Sequence, residues 1–141
     1  MKKCCFAGHR DAFGIEKDVY AVIKMLMEHG ITEFYSGGMG NFDKLCEKAA
    51  KDLGGKVIYV PYNIDCLKMV NTARYDNVIC PFGEKEYEKC DIPLRNNWLV
   101  DNTDMALCYV KRPGGAKATM DYAVKKKKYV LNMGVRTAPV N

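Results

Sequence analysis

No two cysteines stand at CxxC spacing in this chain, and neither of its two histidines sits in a cluster with cysteine. A structural zinc site therefore has no ligand set. Apolar runs are short, well below the roughly 20 residues that a membrane-spanning helix needs, so no membrane association is expected. The seven cysteines are an odd number, and Cys4 and Cys5 are neighbours on a predicted strand, pointing to opposite faces. Free thiols in a reducing cytoplasm explain that pattern better than a disulfide framework. Met1-Lys2-Lys3 has the charge of a secretory leader, but the apolar stretch behind it ends at His9-Arg10-Asp11, too soon for a leader's hydrophobic segment. The expectation is a chain that starts at its mature terminus and stays in the cytoplasm. Internal repeats and low-complexity linkers are also missing.

What is present is the balance of an ordinary globule. At 141 residues, 48% hydrophobic and 28% charged, residues 1–141 read as a single domain with a frayed tail through Pro139. A formal net charge of +5 suits an anionic small molecule or a weak nucleic-acid contact and decides neither. The dense basic run Lys125-Lys126-Lys127-Lys128 closes a predicted helix, where lysines complement the negative end of the dipole; the alternative is a nucleic-acid patch.

Periodicity gives an alternation of strands and helices. Lys2 to Ala7 reads as a buried strand ending in Gly8-His9-Arg10. Ile15, Val19, Val22, Ile23 and Leu26 recur at helical spacing up to a stop at Gly30. Thr32 to Tyr35 is a strand followed by Ser36-Gly37-Gly38-Met39-Gly40-Asn41, with Asn41 as the cap of a helix carrying Phe42, Leu45, Ala49 and Leu53 inward. Lys56 to Val60 is a third strand and Asn77 to Cys80 a fourth, with a short helix expected somewhere between Tyr62 and Asp76. Phe82 to Asp91 reads as a charged loop. Asp91 caps the next helix, on which Leu94 and Trp98 share a face, and Met105 to Val110 is a near-continuous apolar run. Arg112-Pro113-Gly114-Gly115-Ala116 leads from it into a helix over Lys117 to Lys127, and Tyr129 to Met133 is the last strand.

This alternation predicts an α/β, Rossmann-like, doubly wound and mainly parallel sheet with helices on both faces. Ligands of such sheets bind beyond the strand carboxyl ends, near the point where strand order reverses. Three polar loops leave strand carboxyl ends, at Gly8 to Arg10, Ser36 to Asn41 and Arg112 to Ala116, so parallel pairing gathers them on one edge. Glycine junctions between strand and helix bare backbone amides at the positive end of a dipole, where phosphate is the usual occupant. Several residues keep two readings. His9 and Arg10 bind an anion or bond their neighbours; Ser36 donates to phosphate or shapes its turn; Trp98 packs in the core, meets a second subunit or stacks on a base; Asp104 orients backbone at a strand entrance; Asp43 complements a helix dipole or binds metal.

The run of strand then GHR, SGGMGNFDKLCEKAA, RNNWLVDNTDMALCYV and GGAKATMDYAVKKKKYVLNM resembles the SLOG superfamily, the Rossmann-like proteins named for Smf/DprA and the lonely-guy (LOG) enzymes, and most of all its small bacterial YpsA-like members. The likeness covers Cys4 to Met133. It implies the same fold and a nucleotide or nucleotide-derived ligand. LOG enzymes cut the N-glycosidic bond of nucleoside 5′-monophosphates, and their signature pairs an arginine with an aspartate nine residues on, as Arg95 and Asp104 do here. Against the LOG signature PGGxGTxxE this chain has Pro113-Gly114-Gly115-Ala116-Lys117-Ala118-Thr119-Met120-Asp121. Lys117 and Ala118 replace the glycine and threonine, and Asp121 replaces the glutamate. By this resemblance Arg95 and Asp121 are the catalytic candidates. Gly8, His9, Arg10, Ser36, Gly37, Gly38, Gly40, Asn41, Gly114, Gly115, Lys117 and Thr119 are the phosphate-binding candidates. No metal or other cofactor is implied, a homodimer is expected, and a non-catalytic nucleotide sensor or single-stranded DNA binding as in DprA are the alternatives.

Overall fold

Residues 1–82 and 90–135 are described in a computed structural model, and all six of their strands lie in one parallel sheet. In chain order the elements are β1 (Lys3–Gly8), α1 (Glu16–Glu28), β2 (Glu33–Ser36), α2 (Gly40–Asp52), β3 (Lys56–Tyr59), α3 (Cys66–Met69), a 3₁₀ turn (Thr72–Arg74), β4 (Asn77–Val78), α4 (Ile92–Asp101), β5 (Met105–Tyr109), α5 (Gly115–Lys125) and β6 (Tyr129–Asn132). The strand order β4-β3-β2-β1-β5-β6 is that of a Rossmann-like α/β fold. The chain winds outward from β1 through β4, crosses back over β1 and resumes at β5. Strand order therefore reverses between β1 and β5, whose register runs from Cys4 opposite Met105 to Gly8 opposite Tyr109.

Both faces of the sheet are covered, which is why the central strands carry no alternation. Every residue of β5 is buried. On one face α1 and α2 pack over Cys4, Phe6, Phe34 and Leu107, supplying Val19, Ile23, Leu26, Phe42, Cys46 and Ala49. The opposite face buries Cys5, Ala7, Ala106 and Cys108 against Leu99 and Val100 of α4 and Ala123 of α5. Burying a Leu, Ile or Phe side chain in such a core contributes roughly 1.5–3 kcal/mol.

Several boundaries differ from those read in the sequence. The helix assigned to Lys117 starts at Gly115, because the Gly-Gly pair enters the helix instead of only preceding it. Met39 occupies the N-cap position of α2, and the Asn41 side chain instead donates to the carbonyl of Ala12. Only Asn77 and Val78 of the fourth predicted strand pair with β3. Trp98 packs half-buried on the second core cluster, while Leu94 of the supposed shared face is exposed. Asp91 does cap α4, its Oδ1 accepting from Leu94 N at 2.8 Å. Asp104 orients backbone at the strand entrance, its Oδ2 accepting from the amides of Lys2 and Lys3 at 3.0 and 2.9 Å. The centre of the predicted charged loop, from Gly83 to Lys89, and the tail from Arg136 on lie outside the described residues. Among the described residues no helix is long and apolar enough to cross a membrane.

Candidate functional site

A cavity of about 480 Å³ opens at the β1/β5 reversal. That is within the range of small-molecule sites, and its place beyond the strand carboxyl ends is where parallel sheets bind ligands. Its walls are Gly8 at the end of β1 with His9 and Arg10 after it, Met39 and Asp43 at the start of α2, Ile92, Arg95 and Asn96 on α4, and Arg112 through Ala116 with Thr119 at the start of α5, over a floor of Phe6 and Ala7.

The loop after β5 forms one wall. Gly114 holds φ at +144°, a backbone conformation that residues with a Cβ rarely adopt, and it turns the chain straight into α5. Among the described residues no side chain caps that helix, so the amides of its first turn have no intrahelical carbonyl and no cap. Thr119 is 4% exposed and donates to the Gly115 carbonyl at 3.0 Å, holding the first turn shut from within. Arg112 is held at the mouth by Asp11, 2.6 Å away across the reversal.

His9 ties the two central loops together. Its amide donates to Tyr109 O at 3.2 Å, and its Nε2 accepts from Lys111 N at 2.8 Å. Accepting at Nε2 requires that nitrogen to be unprotonated. Burial and the positive charge of Arg112 both lower the imidazole's pKa, in keeping with that role. Gly8, just before it, passes beneath the Phe42 ring with no room for a Cβ.

Arg95 is 2% exposed and serves largely as a strut. Its Nη1 donates to Val60 O at 2.9 Å and Gly37 O at 3.2 Å, its Nε to Asn96 Oδ1 at 2.9 Å, and its guanidinium carbon lies 5.8 Å from the centre of the Tyr62 ring. Burial lowers its pKa from the ordinary arginine value, while the nearby Asp43 favours the charge.

Asp43 is 7% exposed and faces the same cavity. Its Oδ2 accepts from Met39 N at 3.1 Å; among the described residues no protein donor meets Oδ1. Burial pushes its carboxyl up to about 7, against the pull of the Met39 amide, Arg95 and Arg10. One helical turn on, Glu47 is engaged on both oxygens, accepting from Ser36 Oγ at 2.5 Å and Tyr75 Oη at 2.9 Å. Burial raises its pKa too.

Among the residues named from sequence, Gly8, His9, Arg10, Arg95, Gly114, Gly115 and Thr119 come together around the cavity. Ser36, Gly37, Gly38, Gly40 and Asn41 form the support behind it. Ser36 is fully buried on Glu47 and accepts from Gly38 N at 3.0 Å, and Gly37 backs the Arg95 guanidinium. Lys117 and Asp121 are not among the lining residues; they pair with each other at 2.7 Å on the outer side of α5. Met39, Asp43, Asn96 and Arg112 complete the walls and were not among the candidates. The sequence offers Asp43 as a dipole partner or a metal ligand, and its position one turn after Gly40 is the signal that could place it here. Among the described residues no group of three or more His, Cys, Asp or Glu is arranged to hold a metal ion.

No family model matches the chain. No curated protein matches it in sequence. Solved structures do match in fold. DNA processing protein A (DprA) from Streptococcus pneumoniae superposes with a TM-score of 0.73 at 21% identity, over 92% of this chain and 49% of its own, so this chain spans about half of DprA. The molybdenum cofactor carrier protein from Chlamydomonas reinhardtii gives a TM-score of 0.67 at 19% identity, over 96% of this chain and 77% of its own. The molybdenum cofactor binding protein from Rippkaea orientalis gives 0.65 at 19%, over 92% and 74%. The Rossmann-like fold expected from the sequence is the fold of this chain, and the DprA and cofactor-carrier structures share it.

Proposed function

We propose that the cavity at the β1/β5 reversal binds a nucleotide or nucleotide-derived phosphate ligand and holds it without cleaving it. The observation that carries the reading is the convergence of the uncapped first turn of α5 with Arg10 and Arg112 around one cavity of ligand size. Amides at a helix start and planar guanidinium forks both suit phosphate oxygens. The structural neighbours are in keeping with a ligand-binding role, since two of them carry or bind the molybdenum cofactor.

Hydrolysis of an N-glycosidic bond, the LOG-type alternative, draws less support. Asp121 would have to polarise water or stabilise charge on the ribose, yet it pairs with Lys117 outside the cavity. Arg95 already directs donors to two backbone carbonyls and Asn96. Single-stranded DNA binding, the mode described for DprA from Helicobacter pylori, would need basic residues along the ligand face. Lys125 to Lys128 lie just before β6, at the opposite edge of the parallel sheet from the cavity.

The test is thermal stabilisation by a panel of nucleoside 5′-monophosphates and their parent nucleosides, followed by chromatography of the recovered ligand. The proposal expects stabilisation that depends on the phosphate and a ligand recovered intact. Release of free base would move the assignment to hydrolysis, and indifference to every phosphate would end it.

A further inference from the structure

Asp43 is the only carboxylate that lines the cavity among the described residues; the other ionisable side chains there are Arg10, Arg95 and Arg112 and the neutral histidine pinned by Lys111 N. A phosphate satisfies the arginines and the helix amides, but it is repelled by Asp43. The residue is buried, and among the described residues no protein donor meets its Oδ1. A buried acceptor left unmet is costly, so a ligand that fills the cavity has to bring a donor to it.

We infer that Asp43 selects the ligand's heterocycle, its Oδ1 accepting from a ring N–H, so that the cavity favours a phosphate-bearing ligand with adjacent ring and exocyclic N–H donors, as guanine has, over one that presents a ring acceptor there, as adenine does. The inference rests on the phosphate reading above. Its chemistry is specific. Against a carboxylate, the paired donors of a guanine-like edge are both attracted, whereas the lone pair on adenine N1 is repelled. Selectivity of this kind comes from the penalty on the wrong ligand as much as from the gain with the right one.

A proton accompanies the choice. The groups that act on the Asp43 carboxyl are the Met39 amide, Glu47 on its own helix, Arg95 from α4 and Arg10 from the loop after β1, and its charge in turn adds to burial in raising the thiols of Cys46 on α2 and Cys5 across the sheet. Burial outweighs these pulls and pushes the Asp43 carboxyl up to about 7. A donor ligand prefers the ionised carboxylate, lowers that value and releases a proton on binding below it. Affinity for the guanine-type ligand therefore rises with pH, relative to a ligand that has the phosphate but no heterocycle.

Calorimetric titration with guanosine 5′-monophosphate, adenosine 5′-monophosphate and ribose 5-phosphate, from about pH 6 to about pH 8 and in two buffers of different ionisation enthalpy, tests this. The unmutated protein should prefer the guanine nucleotide over the adenine nucleotide by about tenfold or more and release a proton that ribose 5-phosphate does not release. Asp43→Asn keeps an acceptor for Met39 N and should lose both the preference and the extra proton. The proton count in the unmutated protein stands even if that variant folds poorly. Ribose 5-phosphate binding with no guanine preference and no proton release overturns the role of Asp43 alone. Failure of all three ligands to bind overturns the phosphate reading with it.

Discussion

The Arg95 guanidinium occupies the space in which a side chain at Gly37 would lie: a Cβ there would fall 2.6 Å from Cζ. Nη1 meanwhile holds the Gly37 carbonyl at 3.2 Å and the Val60 carbonyl at 2.9 Å. One buried cation thus fixes the chain leaving β2 and the chain leaving β3 beneath the cavity. Arg95→Ala should destabilise the protein by about 1–3 kcal/mol, the cost of leaving buried carbonyls unmet. Arg95→Lys should recover little, because a lysine lacks the planar fork that spans both acceptors. Denaturant unfolding checks both. An unfolding midpoint unchanged in Arg95→Ala would show that the strut is dispensable.

Asp121 and Lys117 are about half exposed and bonded to each other. Removing the pair by Asp121→Asn should change stability by less than about 1 kcal/mol, the scale of a surface ion pair, and should leave ligand affinity unaltered. Isothermal titration of the variant with a nucleoside 5′-monophosphate decides it. A tenfold loss of affinity would restore Asp121 to the site.

Arg112 at the mouth and Gly114 at the start of α5 make opposite kinds of contribution. Arg112→Ala removes a charged donor and should weaken phosphate binding by about tenfold without unfolding the chain, since it lies at an exposed salt bridge to Asp11. Gly114→Ala forces a Cβ onto a backbone at φ +144°, so it should lower both stability and affinity. Comparing melting temperatures with and without ribose 5-phosphate separates the two effects.

The buried carboxyl of Asp43 gives a pH dependence of known sign. Its folded value, about 7, lies above the ordinary aspartate value of 3.8, so between those two the folded protein binds more protons than the unfolded one. Stability contributed by this group is full below the unfolded value and falls as pH rises toward 7, by an amount on the order of a few kcal/mol. Glu47, also raised by burial, adds a slope of the same sign. Asp43→Asn should flatten the curve, leaving the variant relatively more stable at pH 8 than at pH 5. Chemical unfolding across that range is the measurement, and an unchanged slope in the variant would contradict it.

The sheet was legible because its strands are buried on both faces and its helices carry clear apolar stripes. Met105 to Tyr109 reads as one uninterrupted apolar segment, and the stripe from Val19 to Leu26 can hardly be anything but a helix. The three loops were legible as strand-end loops for the same reason. The division of labour within them was not. Ser36 and Gly37 look like phosphate ligands by composition, yet long-range partners claim them: Glu47 bonds Ser36, and Arg95 bonds the Gly37 carbonyl. Asp43 was hidden because an acid in a helix's first turn is ordinarily explained by the dipole, and only packing shows that it lines a cavity with one carboxylate oxygen left without a donor among the described residues. Gly-Gly marked the turn into α5 but not its exact entry, since either glycine fits the junction until φ at Gly114 is known.

The central claim is a phosphate held between α5 and the loop after β1. Thermal unfolding with guanosine 5′-monophosphate and with guanosine, each at about a hundred times the dissociation constant found for the nucleotide, tests it most directly. The account predicts about 2.7 kcal/mol of stabilisation by the nucleotide, much less by the nucleoside, and loss of the difference in Arg112→Ala combined with Arg10→Ala. Equal stabilisation by nucleotide and nucleoside, or a difference that survives removal of both arginines, would contradict it.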